Sequence, residues 1–249
     1  VINPDYVEAH YSLGLIFQDL GQLENTVNSY KQVVAIKPDF AGMHNNLGNV
    51  YRELGELDAA LMSYERAIAI KPDFFEALYS IGVIYQEQNL LNDAIKYYEK
   101  VISIEPNLAE AHYCLGDILL RLNKWDDAVK SYEAALGIKP KLTEAHNNLG
   151  IAFKELGKLD DAFRCYQMAL NINPNYAEAL LNIGFILHKR GKLDESIKCY
   201  LQTLSIKPDY AEAHNNFGNV LMDLGQLDEA VKNFKIAISI KPNYAQAHN

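Results

Sequence analysis

The sequence predicts an all-α protein built as an array of seven antiparallel helix pairs. Two observations carry this prediction. The prolines follow one another at intervals of 34 residues without an insertion, and apolar or small residues recur inside each interval every three to four residues. Such an interval holds two helices and their turns, so the chain forms a repeat array rather than a globular domain. The prolines are Pro4, Pro38, Pro72, Pro106, Pro140, Pro174, Pro208 and Pro242.

The repeats are numbered in chain order, and a position is the number of residues after the last preceding proline. Residues 1–6 are predicted to be the tail of a preceding repeat, and residues 245–249 the start of an eighth. Because the chain starts and stops inside repeats, we expect it to be a segment of a longer protein. The seven full repeats span residues 7–40, 41–74, 75–108, 109–142, 143–176, 177–210 and 211–244.

Glycine marks two places in each predicted first helix. Position 10 is always Gly, as at Gly150, and a glycine inside a helix costs about 1 kcal/mol relative to alanine. We therefore predict a close helix contact there, with the small residue at position 22, such as Ala162, as its partner. Position 17 is Gly or Asn, which suits the left-handed residue that closes a helix.

The predicted second helix carries apolar residues at positions 19, 22, 26, 29 and 32, and position 26 is always aromatic. Acidic residues such as Asp160 and Asp161 stand at its start, where carboxylates can cap free N–H groups and favour the helix dipole. Lysine precedes the proline in five of seven repeats, and proline blocks continuation of the helix.

These residues resemble the tetratricopeptide repeat (TPR) family over essentially the whole chain. Repeat 5 carries the pattern at Leu149-Gly150, Phe153, Ala162, Tyr166 and Pro174. The sequence departs from the family at position 6, where His or Leu replaces Trp. The resemblance implies a right-handed superhelical α-solenoid whose first helices line a concave groove for a protein or peptide.

Composition excludes several classes of protein. The formal net charge is −9, which argues against a nucleic-acid binder. No apolar run is long enough to cross a membrane, and Val1-Ile2-Asn3-Pro4 has neither the basic start nor the apolar core of a signal peptide. Three unevenly spaced cysteines fit a reducing compartment, so we expect a cytoplasmic location.

The sequence predicts no catalytic residue, metal or cofactor. Histidine recurs at position 6, one helix pair apart, whereas zinc ligands lie about 2 Å from one centre. His188 stands off this pattern, and we expect it to be exposed. Cys165 and Cys199 occupy the same position in adjacent repeats, too far apart for a disulfide, and no base is spaced to activate Cys114. The position-6 histidines are His10, His44, His112, His146, His214 and His248, and we expect them to be structural.

The candidate binding residues are polar and aromatic side chains on the first helix, away from the packing positions. A side-chain amide both donates and accepts, so a row of asparagines can bond successive peptide groups of an extended chain. The alternative is a merely solvated helix face. The asparagines are Asn45, Asn46, Asn49, Asn147, Asn148, Asn182, Asn215, Asn216 and Asn219, and the tyrosines that would serve as anchors are Tyr11, Tyr79 and Tyr113.

Three functional hypotheses follow. The first is a non-catalytic scaffold that binds a peptide or protein segment. The second is the substrate-recognition region of a larger glycosyltransferase or sulfotransferase, since Asn46, Asn148, Asn182 and Asn216 resemble the asparagine ladder of O-linked N-acetylglucosamine transferase TPR arrays. The third is end-to-end self-association through uncapped terminal repeats, with apolar residues exposed around Phe234, Ile238 and Ile240.

Overall fold

The structure, a computed structural model, describes residues 4–242. That range contains fourteen α-helices and no strand, which confirms the all-α prediction. Of the flanking segments predicted at the chain ends, residues 1–3 and all of residues 245–249, with His248, lie outside the described residues. The helices are α1 Pro4–Asp19, α2 Leu23–Ile36, α3 Ala41–Glu53, α4 Leu57–Ile70, α5 Phe75–Glu87, α6 Leu91–Ile104, α7 Ala109–Arg121, α8 Trp125–Ile138, α9 Thr143–Glu155, α10 Leu159–Ile172, α11 Ala177–Lys189, α12 Leu193–Ile206, α13 Ala211–Asp223 and α14 Leu227–Ile240.

The chain packs as two compact bodies, an N-terminal body of Val1–Ile118 and a C-terminal body of Leu119–Asn249. Within each body, helices that follow one another along the chain pack together. In the N-terminal body this holds from α1 to α6, and in the C-terminal body from α8 to α14. In the N-terminal body α4 contacts both α3 and α5, and in the C-terminal body α10 contacts both α9 and α11. Second helices such as α4 and α10 are therefore buried between two first helices, whereas α14 leaves Leu227 and Val231 exposed.

The tyrosine ring at position 26 is the centre of the core in repeats 1 to 6, where it is fully buried. Tyr64 and Tyr166 are both fully buried. A Cβ atom added at Gly48 would lie 2.6 Å from Cε1 of Tyr64, and one added at Gly150 would lie 2.5 Å from Cε1 of Tyr166. The close contact predicted at the glycine is present, and the atoms nearest to an added Cβ belong to the tyrosine ring at position 26. The predicted partner at position 22 also contacts the glycine in repeat 6, where Ser196 Oγ donates to the carbonyl of Gly184 at 2.7 Å.

The turn between the two helices of a repeat has the predicted left-handed residue. Gly157 has φ 75°, and Asn89, which replaces glycine in repeat 3, has φ 61°. The N–H of Lys158 donates to the carbonyl of Phe153 at 2.8 Å, so the turn closes α9 with the backbone bonding of a Schellman motif.

The acidic residues after this turn do not cap the second helix as predicted. The residue preceding α10 is Lys158, with φ −83° and ψ 65°, and no side chain bonds the first N–H groups there. Asp160 and Asp161 lie inside the first turn of α10. Their favourable contribution is therefore the interaction of carboxylates with the positive end of the helix, worth about 0.3–1 kcal/mol each.

Candidate functional site

A regular register joins the first helices of neighbouring repeats within each body. In the C-terminal body, Asn182 Nδ2 on α11 donates to Asn147 Oδ1 on α9 at 3.3 Å. In the N-terminal body, the Tyr79 hydroxyl on α5 lies 3.5 Å from Cys114 Sγ on α7. Both pairs are 35 residues apart, one more than the repeat length. A side chain at position 7 therefore meets position 8 of the next repeat.

The same register recurs further along the first helices. His188 Nε2 on α11 lies 2.7 Å from Asp223 Oδ2 on α13, again across 35 residues. The His188 side chain is only 19% exposed, so it is an inter-repeat contact and not the exposed residue that its irregular position indicated. The 34-residue period of the sequence does not predict this pairing. The contact spans 35 residues because the first helices of adjacent repeats are offset by one residue along their axes.

Three of the predicted asparagines form a connected chain of amides in the C-terminal body. Asn147 accepts from Asn182 and donates from its Nδ2 to Asn148 Oδ1 at 3.2 Å. Asn147 is only 3% exposed. The amide of Asn147 is thus used in hydrogen bonds within the fold, and these bonds position the side chains of Asn148 and Asn182.

The other two asparagines at position 7 are also enclosed. Asn45 is 8% and Asn215 is 3% exposed, and their Oδ1 atoms have no hydrogen-bond partner among the described residues. Buried acceptors without a partner are uncommon in folded proteins. These side chains lie beneath the first-helix surface, so they are not placed to contact a ligand directly.

The remaining six asparagines are half-buried and reach the surface of the first helices. Asn49 Oδ1 accepts a hydrogen bond from the Tyr64 hydroxyl at 2.7 Å, so this oxygen is engaged. By contrast, no described residue bonds the side-chain amides of Asn46, Asn216 and Asn219. These three amides retain both donor and acceptor for a ligand.

The predicted tyrosine anchors are part of the packing between helices. Tyr11 stacks on Tyr30 with ring centroids 6.2 Å apart, and Tyr79 packs on Tyr98 at 5.6 Å. Tyr113 is half-buried and also interacts within the fold. These rings are therefore only partly exposed, and all three interact with other parts of the fold.

The thiols are poorly suited to nucleophilic chemistry. Burial raises the pKa of Cys165 and of Cys199 to about 11. Burial also raises the pKa of Cys114, whose sulfur lies against the Tyr79 hydroxyl. All three are protonated at neutral pH, and the thiol is a much weaker nucleophile than the thiolate.

The repeated histidines bond the loops between repeats. Nε2 of His44, His112 and His214 lies 2.9 Å from the carbonyl oxygen of the proline six residues earlier, and His146 makes the same contact at 3.0 Å. A carbonyl only accepts, so each ring donates from Nε2. Within residues 4–242 no cluster of three or more His, Cys, Asp or Glu is arranged to bind a metal.

In repeats 1, 2 and 6 the lysine at position 33 packs against an aromatic ring three residues later. Lys37 Nζ lies 5.1 Å from the Phe40 ring centroid, and Lys71 Nζ lies 5.3 Å from that of Phe74. Such cation–π contacts are worth about 0.5–1 kcal/mol at exposed sites.

None of the helices in the described part of the chain has the length and apolar character needed to cross a bilayer.

The stacked helix pairs define a helical repeat protein. Profiles of the TPR repeat match residues 16–52, 48–89, 116–157, 152–191, 186–225 and 218–249, and two further tetratricopeptide repeat profiles match residues 75–108 and 97–130. The chain belongs to the tetratricopeptide repeat family, which confirms the family to which the sequence pattern pointed.

Solved structures agree with this assignment. The chain is 30% identical to MamA, over 67% of this chain and 97% of that one, with a TM-score of 0.59. It is 23% identical to YrrB, described as a TPR protein with an unusual peptide-binding site, over 74% and 95%, with a TM-score of 0.62. A tetratricopeptide repeat protein from Parabacteroides merdae matches at 21% identity over 98% and 96%, with a TM-score of 0.69. The comparison with curated proteins gave no match.

Proposed function

We propose that this chain is a non-catalytic scaffold whose first helices bind an extended peptide or protein segment. The observation that carries the proposal is the set of half-buried asparagines that the fold leaves unbonded, Asn46 in the N-terminal body and Asn216 and Asn219 in the C-terminal body. A peptide group offers one N–H and one C=O, and a side-chain amide complements both.

The enclosed asparagines support this role indirectly. Asn147 holds Asn148 and Asn182 by hydrogen bonds, so these half-buried amides are ordered before any ligand arrives. Ordering the binding groups in advance lowers the entropic cost of association. The peptide-binding site ascribed to YrrB is consistent with such a role, although the likeness between that protein and this chain concerns the fold alone.

The proposal is tested by removing the unbonded amides. A 12-residue peptide selected from a random phage-displayed library against the whole chain is measured by fluorescence anisotropy. For a peptide that binds the C-terminal body, Asn216→Ala and Asn219→Ala should each weaken binding about two- to tenfold, because a lost hydrogen bond costs about 0.5–1.5 kcal/mol. Asn92→Ala and Asn171→Ala, at exposed positions on α6 and α10, are the matched controls. If both alanine variants of the unbonded asparagines keep the parent affinity and an intact helical circular dichroism spectrum, the proposal is refuted.

A second candidate is the substrate-recognition region of a larger glycosyltransferase or sulfotransferase, whose catalytic domain would lie outside this chain. Asparagine at position 8 of four repeats favours it: Asn46, Asn148, Asn182 and Asn216. Cys114 interrupts that row, and its sulfur is already in contact with Tyr79. Sequencing the complete open reading frame tests this candidate directly, since it requires a catalytic domain there.

Self-association through the terminal repeats is a third candidate. Ile16 on α1 is 55% exposed, whereas Ile84 and Ile186, at the same position of inner repeats, are fully buried. On α14, Leu227 is 60% and Val231 50% exposed; Phe234 and Ile238 are half-buried, and Ile240 is 36% exposed. Light scattering over a dilution series should show reversible growth in mass that Ile16→Glu and Val231→Glu suppress. A monomeric mass at all concentrations would exclude it.

A further inference from the structure

Repeat 6 shows how this fold holds a lysine at the end of its second helix. Lys207 follows α12 and forms an ion pair with Glu178 on α11. Its Nζ also lies 5.7 Å from the centroid of the Tyr210 ring. One ammonium group is thus held between a carboxylate and an aromatic face.

Repeat 3 keeps the carboxylate of this site but has neither the lysine nor the aromatic ring that follows it. Glu76 stands at the position of Glu178, Leu108 at that of Tyr210, and Glu105 replaces Lys207. Glu76 is exposed and has no ion-pair partner among the described residues. Repeat 3 therefore keeps the carboxylate, Glu76, but has no counterpart of the lysine that pairs with Glu178 in repeat 6.

A recess of about 240 Å³ lies beside Glu76 in the N-terminal body. Its lining consists of Phe75, Glu76, Tyr79, Ser80, Leu108 and Glu110, which include two carboxylates and no cation. Glu110 also interacts elsewhere in the fold, so the argument rests on Glu76. Ligand pockets for small molecules typically span about 300–1,000 Å³, so this recess has room for one side chain rather than a drug-sized ligand.

We propose that this recess binds a lysine or arginine side chain of a peptide partner. The ammonium or guanidinium group would pair with Glu76 and lie against the Phe75 and Tyr79 rings, while its aliphatic stem covers Leu108. Tyr79 is already held by its contacts with Tyr98 and Cys114, so its ring is positioned before binding. This inference rests on the proposed peptide-binding function and adds the class of side chain that is recognised.

The test compares two blocked tripeptides, acetyl-Ala-Lys-Ala-amide and acetyl-Ala-norleucine-Ala-amide, titrated into the ¹⁵N-labelled chain at low salt. The two differ in charge but have the same backbone. The lysine peptide should bind about three- to tenfold more tightly and shift the amide signals of residues 75–80 and 108–110. Equal affinity of the two peptides, or shifts confined to other residues, would overturn the proposal.

Glu105→Lys supplies the missing cation from within the chain, as Lys207 does in repeat 6. This variant should bring the ratio of the two affinities close to one, and Glu76→Gln should do the same by removing the carboxylate. Glu99→Lys, an exposed position on α6, makes the same charge change and should preserve the ratio. A ratio that survives both Glu105→Lys and Glu76→Gln would also overturn the proposal.

The amide variant separates this inference from the proposed function. Asn46→Ala should weaken both tripeptides equally, because it acts on the peptide backbone. If Asn46→Ala has no effect while the preference for lysine persists, binding of the peptide backbone by the amides is rejected and binding of lysine in the recess is retained. If both peptides weaken equally in Asn46→Ala but show no preference for lysine, binding of lysine in the recess is rejected and binding of the peptide backbone by the amides is retained.

Discussion

Gly150 lies directly under the ring of Tyr166, so close that a Cβ atom at residue 150 would stand 2.5 Å from Cε1. Non-bonded carbon atoms pack best at about 3.5–4.0 Å. The fully buried ring has little space to move away. The glycine is thus a steric requirement of the helix pair, despite its poor helix propensity.

Gly150→Ala should lower the free energy of unfolding by about 1–3 kcal/mol, as expected for overpacking a core. Urea denaturation followed by circular dichroism measures this. Gly137→Ala is the matched control, because residue 137 also lies inside a helix but nothing stands within 4 Å of its added Cβ. That control should be stabilised by about 0.5–1 kcal/mol. A denaturation midpoint unaffected by Gly150→Ala would contradict the packing account.

Gly157→Ala should destabilise through the backbone alone. Residue 157 has φ 75° and open space around it, so the added methyl group meets no neighbour. The left-handed conformation costs a residue with a Cβ about 1–2 kcal/mol. Asn89→Gly relieves the same conformation at φ 61° and should stabilise the chain. Thermal unfolding of the two variants should move in opposite directions, and a shared direction would be inconsistent with this explanation.

The Asn147–Asn182 hydrogen bond should appear as a coupling between repeats. In a double-mutant cycle of Asn147→Ala and Asn182→Ala, we expect an interaction free energy of about 0.5–1.5 kcal/mol, measured by denaturation. Asn147→Ala with Asn216→Ala is the control, since no hydrogen bond joins their side chains. Additive effects in the first cycle would argue against the contact.

The half-buried thiols of Cys165 and Cys199 should titrate far above their ordinary range. Cys165 and Cys199 have a pKa raised to about 11 by burial, against about 8.5 for a free cysteine. Iodoacetamide alkylation of the folded chain should keep accelerating up to about pH 11, whereas that of the urea-unfolded chain should level off near the ordinary thiol pKa of about 8.5. A plateau in the folded chain at the same pH as in the unfolded chain would disprove the shift.

The same shift has a consequence for stability. The folded state favours the protonated thiol. The free energy of unfolding is therefore unaffected by this group below the unfolded pKa of about 8.5, and it falls as the pH rises from there towards 11. Cys165→Ala should therefore reduce the loss of stability across that pH range. The comparison is made by denaturation at each pH, with the parent chain as reference.

Much of the fold follows from the sequence because the periodic residues act locally. The 34-residue interval fixes the helix pairs, and Gly157 or Asn89 closes the first helix wherever it stands. The sequence pattern indicates Ala162 as the partner of Gly150, yet both Ala162 and Tyr166 point inward from the same helix. Which of them covers the glycine depends on the crossing of two helices, and side-chain size alone does not determine that.

The candidate site was less predictable than the fold. The sequence pattern placed Asn147 and Asn148 on one surface, yet Asn147 is enclosed and Asn148 is half-buried at the surface. Neighbouring helices shift by one residue relative to the repeat, and that shift decides which amides the fold engages. The recess near Glu76 could not be predicted from the sequence either. Its prediction would have required the observation that Lys207 pairs with Glu178 in another repeat.

The 35-residue register means that the repeats are not interchangeable modules. By this register, position 7 of repeat 6, which is Leu181, would face Asn216 in repeat 7, whereas repeat 5 would place Asn147 against the same residue. Placing repeat 5 directly before repeat 7 would therefore tie up an amide that the natural order leaves unoccupied. Under the proposed function, reordering the repeats would change which amides are available to a peptide, although every surface residue stays the same.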